Sequence, residues 1–259
     1  MNALGARRYE NGVAIVAGGS GGIGREICKE LAIAGANVAL TYNRNKESAA
    51  KVAQHIVSLG KATHFDQVDL SDAAAVVRFV NDVRAKFGAI HTVVYAAGPS
   101  FPLRHISQMD PDFFAEKVGT DVFGCFNLIR ATIKDLRQTK GALVSLATPA
   151  IRRYAKADIL SAAPKAAIET VVRGVAAEEG RFGVRANCVG VGVITDGMYH
   201  ELVASGDFDE KFIEKSKEYI SLNRLGTAQE IAGVVAFLSS DKASYVSGQI
   251  LMVDGGYAV

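Results

Sequence analysis

The chain has 259 residues, of which 49% are hydrophobic and 22% are charged, and its formal net charge is +2 at pH 7. This length and composition are sufficient for one substantial core, so we expect a single domain over residues 1–259. The net charge is small and the Lys and Arg residues are dispersed along the chain, and both observations argue against a nucleic-acid-binding surface.

No segment of the sequence predicts insertion into a membrane. Met1–Gly12 is polar and lacks the apolar stretch of a signal peptide, and no window approaches the roughly 18 uninterrupted apolar residues of a membrane helix. We therefore expect a cytoplasmic protein. Cys28, Cys125 and Cys188 are far apart and lack C-x-x-C spacing, so we interpret them as small core residues and expect neither a disulfide framework nor a metal site.

Short apolar runs rich in β-forming residues alternate with helix-length amphipathic stretches along the chain. The runs are Val13–Ala17, Val38–Tyr42, His91–Ala97, Ala142–Ala147, Val184–Val189 and Gln249–Val253. This alternation predicts an α/β fold with a parallel sheet and right-handed crossovers. The segment Val191–Asn223 fits the pattern poorly, and its length after a strand is typical of a substrate lid.

A glycine-rich stretch, Ala17–Gly24, follows the first apolar run and opens a helix-like segment with Ile23, Ile27 and Leu31 at four-residue spacing. Strand, glycine turn and helix in this order suit a dinucleotide pyrophosphate, because glycines let backbone N–H groups approach the phosphates at a helix N-terminus. An ordinary glycine turn is the alternative, and the context disfavours it. The stretch predicts a Rossmann-type, doubly wound, three-layer α/β/α domain with cofactor contacts from Gly18, Ser20, Gly21, Gly22, Ile23 and Gly24.

The second predicted strand ends in residues that favour NADP(H) over NAD(H). An NAD site carries a carboxylate roughly 20 residues beyond the glycines, and none is present here. The strand instead runs into Asn43 and Arg44, whose amide and cation suit a 2′-phosphate. The alternative is that Arg44 is a solvated loop charge, and Gly21 stands where a basic residue would strengthen the NADP(H) assignment.

These motifs resemble those of the short-chain dehydrogenase/reductase family, and the resemblance runs from about Asn11 to Gly256. The family's T-G-x-x-x-G-x-G is similar to Ala17–Gly24, its adenine-side acid to Asp69, and its N-N-A-G to Tyr95–Gly98. Its end signature is similar to Arg224–Gly226, Ser247–Gln249 and Val253–Gly256. The resemblance implies a small-molecule substrate and a homo-oligomer, a tetramer or dimer. It also implies further cofactor contacts from Asp69, Leu70, Ala96, Ala97, Gly98, Gly192, Ile194 and Thr195.

The catalytic pattern departs from the family. The family's Y-x-x-x-K motif falls on Ser161 and Lys165. The lysine that holds the nicotinamide ribose in the family is therefore kept, but a serine replaces the tyrosine. A serine hydroxyl is a far poorer acid than a phenol of pKa about 10, so we interpret Ser161 as a hydrogen-bond donor and not as a proton source. The alternative is that Ser161 caps a helix, since Pro164 belongs in a helix's first turn. Removing Lys165 is expected to abolish turnover while leaving stability near wild type.

Three further family positions match imperfectly. The family's serine falls on Thr148, which keeps a hydroxyl for a substrate carbonyl oxygen. The helix asparagine falls on Asp121, which either pairs with Lys165 or is one more exposed acid. Tyr95 replaces the first Asn of N-N-A-G and needs a new hydrogen-bond partner or a path to solvent.

Loss of the tyrosine is compatible with the dienoyl-CoA reductase branch of the family, in which a conjugated double bond is reduced. The match is partial, because that branch can use a separate tyrosine upstream, and Tyr154 is the nearest phenol here. The sequence leaves two functions open. One is an NADP(H)-dependent reductase of a carbonyl or conjugated enoyl group, as in 3-oxoacyl, enoyl or dienoyl thioesters. The other is a catalytically impaired cofactor-binding homologue with a regulatory or assembly role.

Overall fold

The computed structural model describes Tyr9 and residues 11–259 and is built around one parallel sheet of seven strands. In chain order the strands are β1 (Val13–Ala17), β2 (Asn37–Tyr42), β3 (Thr63–Gln67), β4 (Ile90–Tyr95), β5 (Ala142–Ala147), β6 (Arg185–Val191) and β7 (Ile250–Val253). They are arranged as β3-β2-β1-β4-β5-β6-β7, and every neighbouring pair is parallel. The fold class expected from the sequence is confirmed.

The described residues form eight α-helices, six of which cover the two faces of this sheet. They are α1 (Gly22–Ile33), α2 (Lys46–Ser58), α3 (Ala73–Phe87), α4 (Pro111–Thr139), α5 (Ile159–Glu179), α6 (Tyr199–Ser205), α7 (Glu210–Tyr219) and α8 (Ala228–Ser239). Buried residues of α1, α2 and α8 form one core cluster, and those of α3, α4 and α5 form the other. The domain therefore has a helix layer on each side of the sheet.

The strand β1 shows why the predicted runs are continuously apolar. Ala14 and Val16 belong to one core cluster, whereas Val13 and Ile15 belong to the other. Successive side chains of a strand point to opposite faces, and helices bury both faces of this sheet. All four side chains are consequently inaccessible to solvent.

Each of the six runs singled out in the sequence overlaps a strand: two have the same bounds as their strands, and the other four differ by one or two residues at their ends. The strand β3 was not expected from the sequence. It is an outer strand of the sheet, and its side chains are partly exposed. Its sequence, THFDQ, ends in polar residues and shows neither an apolar run nor clear alternation. Of the polar segment Met1–Gly12, residues 1–8 and 10 lie outside the described residues.

The order of the strands creates a crevice along the carboxyl-terminal edge of the sheet, where the parallel strands end. Because β1 lies between β2 and β4, the chain leaves β1 toward one side and returns to build the other side. In open parallel sheets, ligands bind at such a switch point, beside the carboxyl ends of the strands. The loops after β1, β4, β5 and β6 all begin at this edge.

The segment 191–223 contains the helices α6 and α7 and begins at this same edge, at the end of β6. Among residues that the structure describes, we find no helix with both the length and the apolar character that crossing a bilayer requires.

Candidate active site

The glycine-rich turn packs the first strand, the first helix and β4 closely together. Gly18 has a φ of +77°, and a Cβ atom at this position would lie 2.9 Å from the carbonyl oxygen of Ala96. Its backbone N–H donates to the Oγ1 atom of Thr41 over 3.1 Å. Helix α1 begins at Gly22 with Gly21 as its N-cap, and no side chain caps it and no acidic residue lies in its first turn. The N-terminus of α1 thus presents backbone N–H groups that suit the binding of an anion.

The residues after β2 and β3 lie at the outer part of this edge. The carbonyl oxygen of Asn43 accepts a 2.6 Å hydrogen bond from Nε2 of Gln67, and Arg44 is exposed. Asp69 is exposed, and its Oδ1 atom accepts from the hydroxyl of Ser71 over 2.6 Å and from its N–H over 2.9 Å. These hydrogen bonds lower the pKa of Asp69, so its charged carboxylate stabilises the turn before α3.

The other residues predicted to contact a cofactor lie in or beside the loops that start at this edge. They are Ser20, Ile23 and Gly24 after β1, Leu70 after β3, Ala96, Ala97 and Gly98 after β4, and Gly192, Ile194 and Thr195 after β6. Thr195 is exposed, and its Oγ1 atom donates to the carbonyl oxygen of Gly226 over 3.4 Å. The structure thus collects the predicted cofactor residues along one edge, and their contacts with a cofactor stay predictions.

A buried ion pair lies beside the loop after β4. The Nζ atom of Lys165, on α5, is 2.8 Å from Oδ2 and 3.1 Å from Oδ1 of Asp121, on α4. It also donates to the carbonyl oxygen of Ala97 over 3.3 Å. Only 2% of the Asp121 side chain and 14% of the Lys165 side chain are exposed. The buried carboxylate of Asp121 therefore holds the ammonium group of Lys165 in place, and Asp121 is not an exposed helix acid.

Tyr95 completes this cluster from the end of β4. Its hydroxyl donates to Oδ1 and to the carbonyl oxygen of Asp121, each over 2.9 Å. Burial and the Asp121 charge hold the pKa of Tyr95 well above its usual range. A Cβ atom at Gly124 would lie 3.0 Å from the Tyr95 hydroxyl, so the glycine makes room for the phenol. Tyr95 is thus a neutral donor that fixes Asp121.

The two candidate substrate-binding hydroxyls lie in the next loop and helix. Thr148 follows β5, is partly buried, and accepts the N–H of Ala150 over 3.2 Å with its Oγ1 atom. Ser161 lies one helical turn before Lys165 on α5 and is partly buried. Among the described residues, neither hydroxyl is hydrogen-bonded to Lys165.

The alternative in which Ser161 caps a helix is wrong. Asp158 is the N-cap of α5, and Ser161 donates its backbone N–H to the carbonyl oxygen of Asp158 over 3.1 Å. Pro164 lies inside the helix, beyond the first turn in which the sequence places it. The ring removes one helical N–H, but Pro164 and its neighbours Leu160 and Ala162 are buried, so packing holds the helix in place.

The segment 191–223 is fixed to the glycine-rich turn at its start. Oδ1 of Asp196 is 3.0 Å from Nη2 of Arg25 on α1, and its Oδ2 accepts the N–H of Ala228 over 3.3 Å. A Cβ atom at Gly22 would collide with the backbone of Gly197. Sequence reasoning did not single out Asp196 or Arg25, because they are 171 positions apart and no local spacing links them.

Asp158 was also missed, although aspartate is a favoured N-cap and this one stands three residues before Ser161. Burial raises the pKa of its carboxyl group to about 7. Within the described part of the chain, no group of three or more His, Cys, Asp and Glu side chains is arranged to hold a metal ion.

Comparison with known proteins identifies a family for nearly the whole chain. A family described as enoyl-(acyl carrier protein) reductase has a model that matches residues 17–258. A 3-oxoacyl-[acyl-carrier-protein] reductase of Staphylococcus aureus is 33% identical over 246 residues, which cover 94% of this chain and 96% of that protein. The peroxisomal 2,4-dienoyl-CoA reductase of Saccharomyces cerevisiae is 30% identical over 252 residues, 96% of this chain and 84% of that protein.

Among solved structures, a short-chain dehydrogenase/reductase from Serratia marcescens superposes with a TM-score of 0.86 at 28% identity. The superposition covers 96% of this chain and 98% of that one.

Proposed function

Because this chain belongs to the short-chain dehydrogenase/reductase family of oxidoreductases, we propose that it uses NADP(H) to reduce a carbonyl or conjugated enoyl group. The observation that carries the proposal is the position of Lys165. Its ammonium group is held between the buried carboxylate of Asp121 and the carbonyl oxygen of Ala97, in the loop beside the glycine-rich turn. A fixed cation at the switch point of a parallel sheet suits the sugar hydroxyls of a bound dinucleotide.

The glycine-rich turn fits a nicotinamide dinucleotide. The N-terminus of α1 has no capping side chain, and Gly18 adopts a conformation that favours glycine. Gly18, Ser20, Gly21, Gly22, Ile23 and Gly24 would hold the pyrophosphate, and Lys165 the nicotinamide ribose. When bound, such a cofactor supplies the hydride.

A preference for NADP(H) is supported by the exposed side chain of Arg44 at the end of β2. A guanidinium there is free to pair with a 2′-phosphate, and no carboxylate follows the strand to accept ribose hydroxyls from NAD(H).

The substrate side of the site rests on two hydroxyls. Thr148 and Ser161 orient the substrate carbonyl oxygen as hydrogen-bond donors, with Ser161 in place of the family's tyrosine. Lys165 keeps its position on the same helix face, one turn from Ser161. Relatives that are named for reduction of 3-oxoacyl and 2,4-dienoyl thioesters support an acyl thioester as the substrate class.

A second candidate is a cofactor-binding homologue with little catalytic activity. The absence of a phenol at Ser161 favours it. The nearest other phenol along the chain, Tyr154, is 48% exposed, and Tyr95 is buried and donates to Asp121.

A steady-state screen separates the two functions. NADPH oxidation is measured over 3-oxoacyl, enoyl and dienoyl thioesters, simple ketones and quinones, with Lys165→Met as the matched control. The proposal predicts turnover of a thioester or ketone in the wild-type protein and none in the variant. NADPH binding without turnover of any substrate would favour the second candidate.

A further inference from the structure

The phenol of Tyr95 connects the side chain of Asp121 to its own backbone. The Tyr95 hydroxyl lies 2.9 Å from the Asp121 carbonyl oxygen and 2.9 Å from Oδ1 of its carboxylate. The carbonyl oxygen is part of helix α4, which packs against α3 and α5 and does not move by itself. A hydroxyl that bridges the two oxygens therefore fixes the orientation of the carboxylate relative to the helix.

The Asp121 carboxylate has no second way of being held in this orientation. Its side chain is only 2% exposed, so solvent does not supply hydrogen bonds to it. Among the described residues, the donors to its oxygens are the hydroxyl of Tyr95 and the ammonium group of Lys165. Lys165 carries a flexible side chain, whereas Tyr95 is 1% exposed and fixed by the packing around β4. The phenol is thus the rigid support of the pair.

The contacts of the Lys165 ammonium group lie on its buried sides. Its Nζ atom is 2.8 Å from Oδ2 of Asp121, donates to the carbonyl oxygen of Ala97 over 3.3 Å and lies 5.4 Å from the centroid of the Tyr95 ring. An ammonium group has three N–H donors at fixed angles to one another. The direction of a donor that faces the crevice therefore follows from the positions of Asp121 and Ala97.

Gly98 leaves the ion pair open on the side of the loop after β4. A Cβ atom at this position would lie 3.5 Å from Nζ of Lys165 and 3.8 Å from Oδ1 of Asp121. These are ordinary van der Waals distances, so a longer side chain here would cover the pair. The glycine instead leaves room for a ligand group beside the ammonium group, whose side chain is 14% exposed.

We propose that Tyr95 is a positioning residue for cofactor binding: through Asp121, it directs the ammonium group of Lys165 at the hydroxyls of the nicotinamide ribose. The inference rests on the proposed function, which places Lys165 against that ribose. Tyr95 does not itself contact the cofactor, because it is buried and its hydroxyl is committed to Asp121.

The ring and the hydroxyl of Tyr95 have separable roles. The ring belongs to a core cluster and contacts the ammonium group, and Tyr95→Phe keeps both contacts while it removes only the hydroxyl. Thr132→Val is the matched control. Thr132 is buried on the same helix, and its hydroxyl donates to the carbonyl oxygen of Leu128 over 2.7 Å, outside the candidate site.

The test measures binding by calorimetry for two ligands, NADPH and adenosine 2′,5′-bisphosphate, which lacks the nicotinamide ribose. Tyr95→Phe should weaken NADPH by about five- to tenfold, the equivalent of one hydrogen bond, and should leave the bisphosphate unchanged. Thr132→Val should change neither affinity. In an Asp121→Asn background, Tyr95→Phe should weaken NADPH by less than about twofold, because the carboxylate through which it acts is gone.

A second readout uses the cofactor-free protein. The side-chain ammonium signal of Lys165 is observed by 15N NMR and assigned by its loss in Lys165→Met. It should shift in Tyr95→Phe and stay in place in Thr132→Val. A signal that does not shift in Tyr95→Phe would overturn the inference.

The binding results separate the inference from the proposed function. An unchanged NADPH affinity in Tyr95→Phe would overturn the positioning role, and so would an equal loss for both ligands, which would indicate general damage to the fold. Either result leaves the proposed function intact if the wild type reduces a substrate. Wild-type protein that binds no NADPH would refute the proposed function and the inference together. Wild-type protein that binds NADPH without turnover would refute the reductase alone, and a selective loss in Tyr95→Phe would still support the positioning role.

Discussion

Replacement of Lys165 by methionine should destabilise the fold, because it leaves a buried carboxylate without its cation. The Nζ atom of Lys165 lies 2.8 Å from Asp121, and only 2% of the Asp121 side chain is exposed. Two unit charges at this distance attract by about 6 kcal/mol at an effective dielectric constant of 20, and desolvation offsets part of this. Since Tyr95 still donates to the carboxylate, we expect a loss of about 3 kcal/mol, at the low end for a broken buried pair.

A double-mutant cycle isolates the pair itself. Asp121→Asn alone should cost about 1–2 kcal/mol, because Lys165 is 14% exposed and keeps the carbonyl oxygen of Ala97. In the double variant no buried charge remains unpaired, so its loss should be about 2–3 kcal/mol smaller than the sum of the single losses.

The assay is urea unfolding followed by circular dichroism at pH 7.5 and one fixed protein concentration, so that any association contributes equally. Lys165→Met should also lower the Tm by about 6–12 °C for a chain of this size. A loss below about 0.5 kcal/mol, or strictly additive costs, would refute the reasoning, since both would mean that solvent screens the pair as at a surface.

Three further predictions concern cofactor choice and the acid at the start of α5. NADPH should bind about ten- to a hundredfold more tightly than NADH, and Arg44→Ala should remove this difference without weakening the binding of NADH. Fluorescence titration of both cofactors measures the affinities, and equal affinities in the wild type would exclude the NADP(H) assignment. Because burial raises the pKa of Asp158 from 3.8 to about 7, the wild-type protein should lose stability as pH rises through this interval. Asp158→Asn should therefore be more stable than wild type at pH 8.5, by at most about 4 kcal/mol, with the gain vanishing near pH 4 in urea unfolding; an equal gain at both pH values would contradict it. Ser161→Tyr should lower thioester reduction without creating ketone reduction, because the bulkier ring crowds the site. A gain of about 10²-fold in ketone reduction would instead indicate a site that merely lost its tyrosine.

The fold was predictable because its signals are local. Strands such as β1 and β5 are buried on both faces, so their sequences are continuous apolar runs that a short window detects. The glycine turn after β1 joins a strand to a helix within a few residues. The strand β3 was not predicted, because an exposed edge strand needs no apolar pattern and because its pairing with β2 is a tertiary contact.

The site was predictable only where one segment carries the pattern. The spacing of Ser161 and Lys165 is readable along a single helix, whereas the contact of Lys165 with Asp121 joins α5 to α4 across 44 positions. The sequence expectation that loss of Lys165 leaves stability near wild type overlooked the buried carboxylate beneath it. The raised pKa of Asp158 was equally hidden, because it depends on burial, which no spacing reveals.

The most direct measurement of the central claim is the transfer of deuterium from NADPH labelled at C4 of the nicotinamide ring to a thioester substrate. Wild-type protein is mixed with each labelled C4 epimer and a 3-oxoacyl, enoyl or dienoyl thioester, and the product is analysed by mass spectrometry. Our expectation is a product with a single deuterium on the reduced carbon from one epimer, and no labelled product with Lys165→Met. Wild-type protein that binds the labelled cofactor but transfers no deuterium to any of these substrates would contradict it.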